Sequence, residues 1–210
     1  MNTPPNFAIY RFYAPVYDKV FGWVFAGARR RAIRMLELER DARVLLPGVG
    51  TGLDLDLLPD EIKVTAIDLS PEMLAQARIK LHRRAINWAL MNAQTLGLPS
   101  ESFDAVVLSL ILSVAPDGAQ VFREAWRVLR RNGTLIIFDK FLPETSKLSP
   151  MRRWVGALIS AMGTDPNRRL TDLIGGVSDL IVERNEPGLL GGQYRILVLR
   201  KSGIERGNPR

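Results

Sequence analysis

Three glycines and one carboxylate carry the first chemistry legible in this chain. Gly48, Gly50 and Gly52 alternate within VLLPGVGTG, and Asp68 follows Gly48 by 20 residues. Val44, Leu45 and Leu46 form a short apolar run, as expected for a strand buried on both faces. The residues from the glycines through Leu58 suit a short helix, and Lys63 to Ile67 a second strand that ends in Asp68. Glycines let the backbone turn sharply and approach a ligand where a Cβ would collide. A carboxylate at the carboxyl end of the neighbouring strand can accept both hydroxyl hydrogens of a ribose. The ligand expected is therefore a nucleoside. It is not a dinucleotide by this pattern, because Leu53 stands where G-x-G-x-x-G needs its last glycine, and no Gly-Lys-Ser/Thr completes a Walker loop.

The whole composition bounds the rest. A chain of 210 residues with 47% hydrophobic and 24% charged residues is most simply one globular domain with a full core. The absence of cysteine excludes disulfides and thiolate metal sites, and fits a reducing compartment. With His82 as the one histidine, a histidine-based metal site or triad is not expected, and no metal is assigned. There is no run of 18 apolar residues and no basic n-region followed by an apolar core, so neither a transmembrane helix nor a signal peptide is expected. The net charge of +7 favours an anionic partner: nucleic acid, an anionic membrane surface or an acidic substrate.

The elements that must position the glycines and Asp68 follow in order. Residues 1–40 read as an aromatic and basic helical arm. Eight of the sixteen aromatics fall between Phe7 and Phe25, and a helix opened by Pro15 is expected from Val16 to Glu39, with Arg29 to Arg31 and Arg34 in its middle. Such an arm can pack over the sheet and close the ligand pocket, and its aromatics beside arginines suit a bilayer interface. Ser70-Pro71-Glu72 opens a helix running to about Arg84. Ile86 to Met91 reads as a third strand, with Asn92-Ala93-Gln94 at the edge where ligands bind. Phe103 to Leu108 is the fourth strand, followed by a loop over Ser109 to Ala115. Pro116 or Asp117 starts a helix that Arg130-Arg131-Asn132-Gly133 ends. Thr134 to Phe138 is the fifth strand, with Asp139 at its carboxyl end. Ser149-Pro150 begins a helix bearing Arg152 and Arg153, and Arg168-Arg169 opens the segment that ends near Gly175. Ser178 to Glu186 and Gln193 to Arg200 pair as an edge hairpin. Residues 41–200 then make one α/β domain, and 201–210 a disordered tail. The fold class expected is α/β and Rossmann-like: a seven-stranded, mostly parallel sheet with an antiparallel edge hairpin and an N-terminal helical arm.

Several strings together resemble class I S-adenosylmethionine (SAM) methyltransferases. VLLPGVGTG is similar to their motif I, AIDLSPEMLAQAR to the acidic-loop motif, NAQTLGLPSESFDAVVLSLILS to the stretch through the fourth strand, and FREAWRVLRRNGTLIIFD to the region after it. Within that fold the chain resembles the branch of ubiquinone/menaquinone and bacterial phospholipid methyltransferases. YAPVYDKVFGWVFAGARRRAI is most similar to the Rhodobacter-type phosphatidylethanolamine N-methyltransferases. The resemblance implies SAM as cofactor. It puts Gly48, Gly50 and Gly52 against the methionine part, Asp68 on the ribose hydroxyls, Leu69 and Met73 along the adenine, and Asn92 and Ala93 at the adenine edge. Ser109 would lie beside the methionine moiety, and Tyr13, Tyr17 and Asp18 would form part of the lid. One position departs from the pattern. The family usually has Glu or Asp two residues before the first motif I glycine, and here Leu46 stands there, followed by Pro47. Asp54 or Asp56, just past the turn, is the available replacement.

Methyl transfer is an in-line displacement, so the protein must align the acceptor and exclude water. An amine acceptor must also lose a proton, for which Tyr13, Tyr17, Asp18 and Asp139 are the candidates. A phosphate headgroup would want arginines, and Arg152, Arg153, Arg168 and Arg169 are available. The expectation is N-methylation of phosphatidylethanolamine by a cytoplasmic protein peripheral on the inner face of the membrane. The rivals are a quinone-ring C-methyltransferase, a soluble small-molecule methyltransferase, and a non-catalytic SAM-binding regulatory module. Nucleic-acid methylation is not expected, because Ser109-Leu110-Ile111-Leu112 follows the fourth strand in place of Asn/Asp-Pro-Pro-aromatic.

Overall fold

The structure, a computed structural model, describes residues 22–81, 85–142 and 168–203. The expected lid residues Tyr13, Tyr17 and Asp18, the arginines Arg152 and Arg153, His82 and residues 204–210 of the expected tail lie outside the described residues; within that expected tail, Lys201 is buried and ends a strand. Helix α1 covers residues 22–33. There follow β1 (Arg43–Pro47), a single 3-10 turn (Leu55–Leu57), β2 (Lys63–Asp68), α2 (Pro71–Lys80), β3 (Ile86–Leu90) and β4 (Phe103–Ser109). The chain continues with α3 (Gly118–Val128), β5 (Leu129–Lys140), α4 (Leu170–Ile174), β6 (Leu180–Leu189), a second 3-10 turn (Leu190–Gly192) and β7 (Tyr194–Lys201).

The strands form one seven-stranded sheet in the order β3-β2-β1-β4-β5-β7-β6. Strands β1 to β5 pair in parallel, and β7 runs antiparallel to both β5 and β6. Alternation along each central strand divides the core into two layers. Leu46, Ala66, Val107 and Phe138 face α1, through Phe25, Ala28, Ala32 and Ile33. Leu45, Ile67, Val106 and Ile137 face α3, through Val121, Phe122, Ala125 and Trp126. The sheet is therefore covered on both faces, and its strand order reverses between β1 and β4. That is where a doubly wound sheet opens a crevice for ligands.

Several boundaries differ from the sequence expectation, among them these. The helix expected after the glycines is only the 3-10 turn Leu55–Leu57. Pro59 requires extended backbone at Leu58, which has φ −84° and ψ 145°. Helix α1 gives way to a turn at residue 34, short of Glu39. Helix α3 ends at Val128 and not at Gly133, because Leu129 is extended and pairs with Phe103 of β4. Gly133 serves a close approach instead: a Cβ there would lie 2.8 Å from the Arg130 carbonyl oxygen. Other local signals act as expected. Ser70 caps α2 by accepting from Met73 N–H at 3.2 Å, and Asp117 caps α3 by accepting from Gln120 N–H at 2.8 Å.

Candidate cofactor site

The glycine turn leaves the carboxyl end of β1, at the strand-order reversal. Gly48, Gly50 and Gly52 have φ of 65°, 56° and 86°, which side-chain-bearing residues rarely adopt. Their surroundings differ. A Cβ on Gly48 would press into Ile111, lying 3.0 Å from its Cγ1. One on Gly52 would meet Leu81, Ala77 and Leu55 at 3.0–3.3 Å. One on Gly50 would meet nothing within 4 Å. The first and third glycines admit neighbouring protein, while the second faces open space.

Asp68 closes the turn from β2. Its carboxylate accepts from Gly50 N–H at 2.8 Å and from Ser70 N–H at 2.9 Å. Burial holds its pKa above the ordinary carboxylate value, against the lowering effect of the Ser70, Gly50 and Leu69 N–H groups. Beside it, Leu69 is exposed and Met73 half-buried at the start of α2. At the carboxyl end of β3, Asn92 accepts from Gln94 N–H at 2.9 Å in an Asx turn, and Ala93 is half-buried. Ser109 ends β4 and is the acceptor of a hydrogen bond from Arg29 at 3.1 Å. All nine residues expected at a cofactor thus lie along the carboxyl edge of β1 to β4 or just beyond it. An acidic acceptor, an exposed apolar side chain and an open glycine on one crevice fit a nucleoside with a polar tail.

The loop from Leu110 to Pro116 follows the carboxyl end of β4. Leu110 has φ 55°, and its N–H donates to the Phe138 carbonyl at 2.7 Å. Asp139 is wholly buried under this loop, its carboxylate accepting from Ser113 N–H at 3.1 Å and Lys140 N–H at 2.8 Å. Burial raises its pKa, opposed by the hydrogen bonds from Ser113, Lys140 and Leu112. Arg168 grips the same loop from outside, donating to the carbonyls of Leu112, Ala115 (2.7 Å) and Pro116 (2.9 Å). Its neighbour Arg169 is the residue before α4. These two positions were expected at a proton and at a phosphate. In the structure the Asp139 carboxylate and the Arg168 guanidinium hydrogen-bond to backbone groups.

One cluster was not foreseen. Arg29 of α1 forms an ion pair with Asp54, and the same Nη1 donates to Ser109. Its position could have been found from spacing, since Arg29 lies four residues after Phe25 and four before Ile33, on the helix's apolar stripe. Among the described residues no group of three or more His, Asp or Glu side chains could hold a metal ion.

The methyltransferase domain family matches residues 45–137. Phosphatidylethanolamine N-methyltransferase of Cereibacter sphaeroides is 36% identical over 152 residues, covering 70% of this chain and 74% of that protein. Demethylmenaquinone methyltransferase of Thermus thermophilus is 32% identical over 136 residues, covering 60% of this chain and 61% of that protein. Among solved structures, a SAM-dependent methyltransferase from Thermotoga maritima superposes with a TM-score of 0.64 at 20% identity, over 94% of this chain and 99% of its own, and so shares the fold. A Rossmann-like sheet with a glycine turn at its reversal, joined to sequence kinship over most of a characterised relative, makes this chain a member of the class I S-adenosylmethionine-dependent methyltransferases.

Proposed function

We propose that this methyltransferase N-methylates the amine headgroup of phosphatidylethanolamine at a membrane surface. The observation that carries this reading is the 36% identity to a phosphatidylethanolamine N-methyltransferase, with about three quarters of that protein covered. The cofactor, when bound, supplies an electrophilic methyl group on a sulfonium. Asp68 accepts the ribose hydroxyls, with Gly50 giving the backbone room to approach. Leu69 and Met73 flank the adenine, and Asn92 and Ala93 meet its edge. Gly48, Gly52 and Ser109 line the methionine end. The acceptor is a neutral amine, whose lone pair takes the methyl in line while its proton passes to solvent or to Tyr13, Tyr17 or Asp18. Asp139 and Arg168 act as positioning residues that fix the loop from Leu110 to Pro116. The headgroup phosphate falls to Arg152, Arg153 and Arg169.

Membrane contact has its own support on α1. Trp23 is 84% exposed, and Arg30 lies seven residues on, on the same outward stripe, while Phe25 faces the core. No helix among the described residues is long and apolar enough to cross a membrane. The second reading is a quinone-ring C-methyltransferase, favoured by the similarity to demethylmenaquinone methyltransferase.

The test is incubation with methyl-labelled SAM and vesicles of phosphatidylethanolamine plus an anionic lipid, followed by extraction and separation of the lipids. Label in mono- and dimethylated phosphatidylethanolamine is the expected result. Label appearing only in a supplied demethylated quinone would establish the second reading. No labelled lipid, with cofactor binding measured by calorimetry, would refute the first.

A further inference from the structure

The acid missing at Leu46 has a structural counterpart. Leu46 is buried in the apolar cluster beneath α1, with Phe25, Ala28 and Ala32. The same helix carries Arg29, whose side chain is 11% exposed, and its partner Asp54 is 8% exposed. Asp56, the other acid past the glycine turn, is exposed. Asp54 stands at the N-cap position of the 3-10 turn but makes no capping hydrogen bond. Among the described residues its carboxylate is held by Arg29, through Oδ2. Arg29 in turn spends Nη1 on Asp54 and Ser109, while Nε is buried without a partner among the described residues. A guanidinium has five donors, and its Nε–Nη2 edge is one of the two that a carboxylate takes with paired hydrogen bonds. A buried donor left unpaired in a native protein calls for an explanation.

The pair sits between the glycine turn and the end of β4, where the strand order reverses. Among the described residues its hydrogen bonds run through Asp54 Oδ2 and Arg29 Nη1, which leaves the second carboxylate oxygen and the Nε side of the guanidinium for a ligand. An α-amino acid end presents the complement, an ammonium and a carboxylate on adjacent atoms. We infer that Arg29 and Asp54 together read the zwitterionic amino-acid end of the cofactor. Asp54 takes the ammonium, the role left open by Leu46, and Arg29 takes the carboxylate. This rests on the SAM reading of the crevice and adds a residue of the N-terminal helix to it. Because the pair is itself neutral, it can face a ligand end that is also neutral without leaving a bare charge in a buried site.

The experiment compares S-adenosylhomocysteine with 5′-methylthioadenosine, which keeps the nucleoside and lacks the amino-acid end. Binding of both is measured by calorimetry to the wild type, Asp54→Asn, and the double variant Arg29→Met/Asp54→Leu, which removes both charges at once. The expected result is a loss of roughly 10- to 100-fold in S-adenosylhomocysteine affinity for each variant. Affinity for 5′-methylthioadenosine should stay within about twofold. Decarboxylated S-adenosylhomocysteine on the wild type gives an independent arm that needs no variant to fold. It should bind at least about tenfold more weakly than the parent ligand. Equal binding of parent and decarboxylated ligand would overturn the inference. So would variants that bind S-adenosylhomocysteine like wild type, or that lose both ligands equally, which would make the pair a strut of the fold. If the wild type binds neither nucleoside, the cofactor reading falls, and this inference with it.

Discussion

Substituting alanine at Gly48 and at Gly50 should separate stability from binding, although the two residues are two apart in one turn. Both have positive φ, 65° and 56°, so either alanine costs about 1–2 kcal/mol of backbone strain. At Gly50 the new methyl meets nothing within 4 Å, so the cost ends there. At Gly48 it would press on Ile111, with Cγ1 at 3.0 Å and Cβ at 3.3 Å, and Ile111 is buried. Its terminal methyl can swing, but the atoms nearer the backbone cannot, which adds about 1–2 kcal/mol of overpacking. Gly48→Ala should therefore cost about 2–4 kcal/mol. For a chain of 210 residues that is a fall in Tm of roughly 5–15 °C. Gly50→Ala should lower Tm by roughly half as much or less, yet bind S-adenosylhomocysteine more weakly than Gly48→Ala does. Melting curves and calorimetry on both variants read the two effects. Adding Ile111→Ala should recover part of the loss caused by Gly48→Ala in a double-mutant cycle, since it removes the opposing atoms. Equal destabilisation by the two alanines, or purely additive effects of Gly48→Ala and Ile111→Ala, would refute this account of the turn.

Four further outcomes follow from other contacts. Arg168→Met removes the donors to the carbonyls of Leu112, Ala115 and Pro116 and should cost about 1–3 kcal/mol by denaturant titration. Gly118→Ala should act in the same direction, since its Cβ would collide with both the Arg168 guanidinium and the Leu112 carbonyl oxygen. Lys201→Met should cost about 1–3 kcal/mol, because the buried amine donates to the Trp126 and Leu129 carbonyls at 3.0 and 2.9 Å at the end of α3. For Asp139 the test is pH. Burial raises its folded pKa, so it contributes stability that is full below the unfolded carboxylate value, about 3.9, and lost as pH rises through the raised folded value. The stability difference between wild type and Asp139→Asn, from urea midpoints, should therefore decline with rising pH and then level off. A difference independent of pH would refute it.

Much of this was legible because it is local. The alternating glycines, Asp68 at the end of β2 and the Ser70 and Asp117 caps are short-range patterns with one economical geometry. What was not legible depends on partners distant in sequence. Arg130-Arg131-Asn132-Gly133 carries every sign of a helix end, yet α3 stops at Val128, because Leu129 is drawn beside Phe103 on β4. Arg168 and Arg169 look alike in sequence. Only the fold shows that Arg168 meets three carbonyls of a loop more than fifty residues earlier. Asp139, at a strand end where chemistry is usual, faces amide groups under the loop and not the crevice. In the Arg29–Asp54 link each residue was visible, and their meeting was not.

The antiparallel insertion of β7 sets an order of assembly. Among the described residues β6 pairs only with β7, and β7 pairs with β5, so the later strand is the bridge by which the one before it joins the sheet. Its first residue, Tyr194, also packs against Phe25 of α1 with ring centroids 4.9 Å apart, and against Phe138 at 6.0 Å. The helix near the start of the chain therefore finds its complete seat only after the chain near its end is in place. During synthesis, β1 to β5 can pair and receive α1 as they emerge, while the Phe25–Tyr194 contact must wait for roughly 170 residues of further chain. A nascent chain stalled before β7 would therefore hold α1 on β1 to β5, with Phe25 against Phe138, while the Phe25 ring lacked its Tyr194 partner.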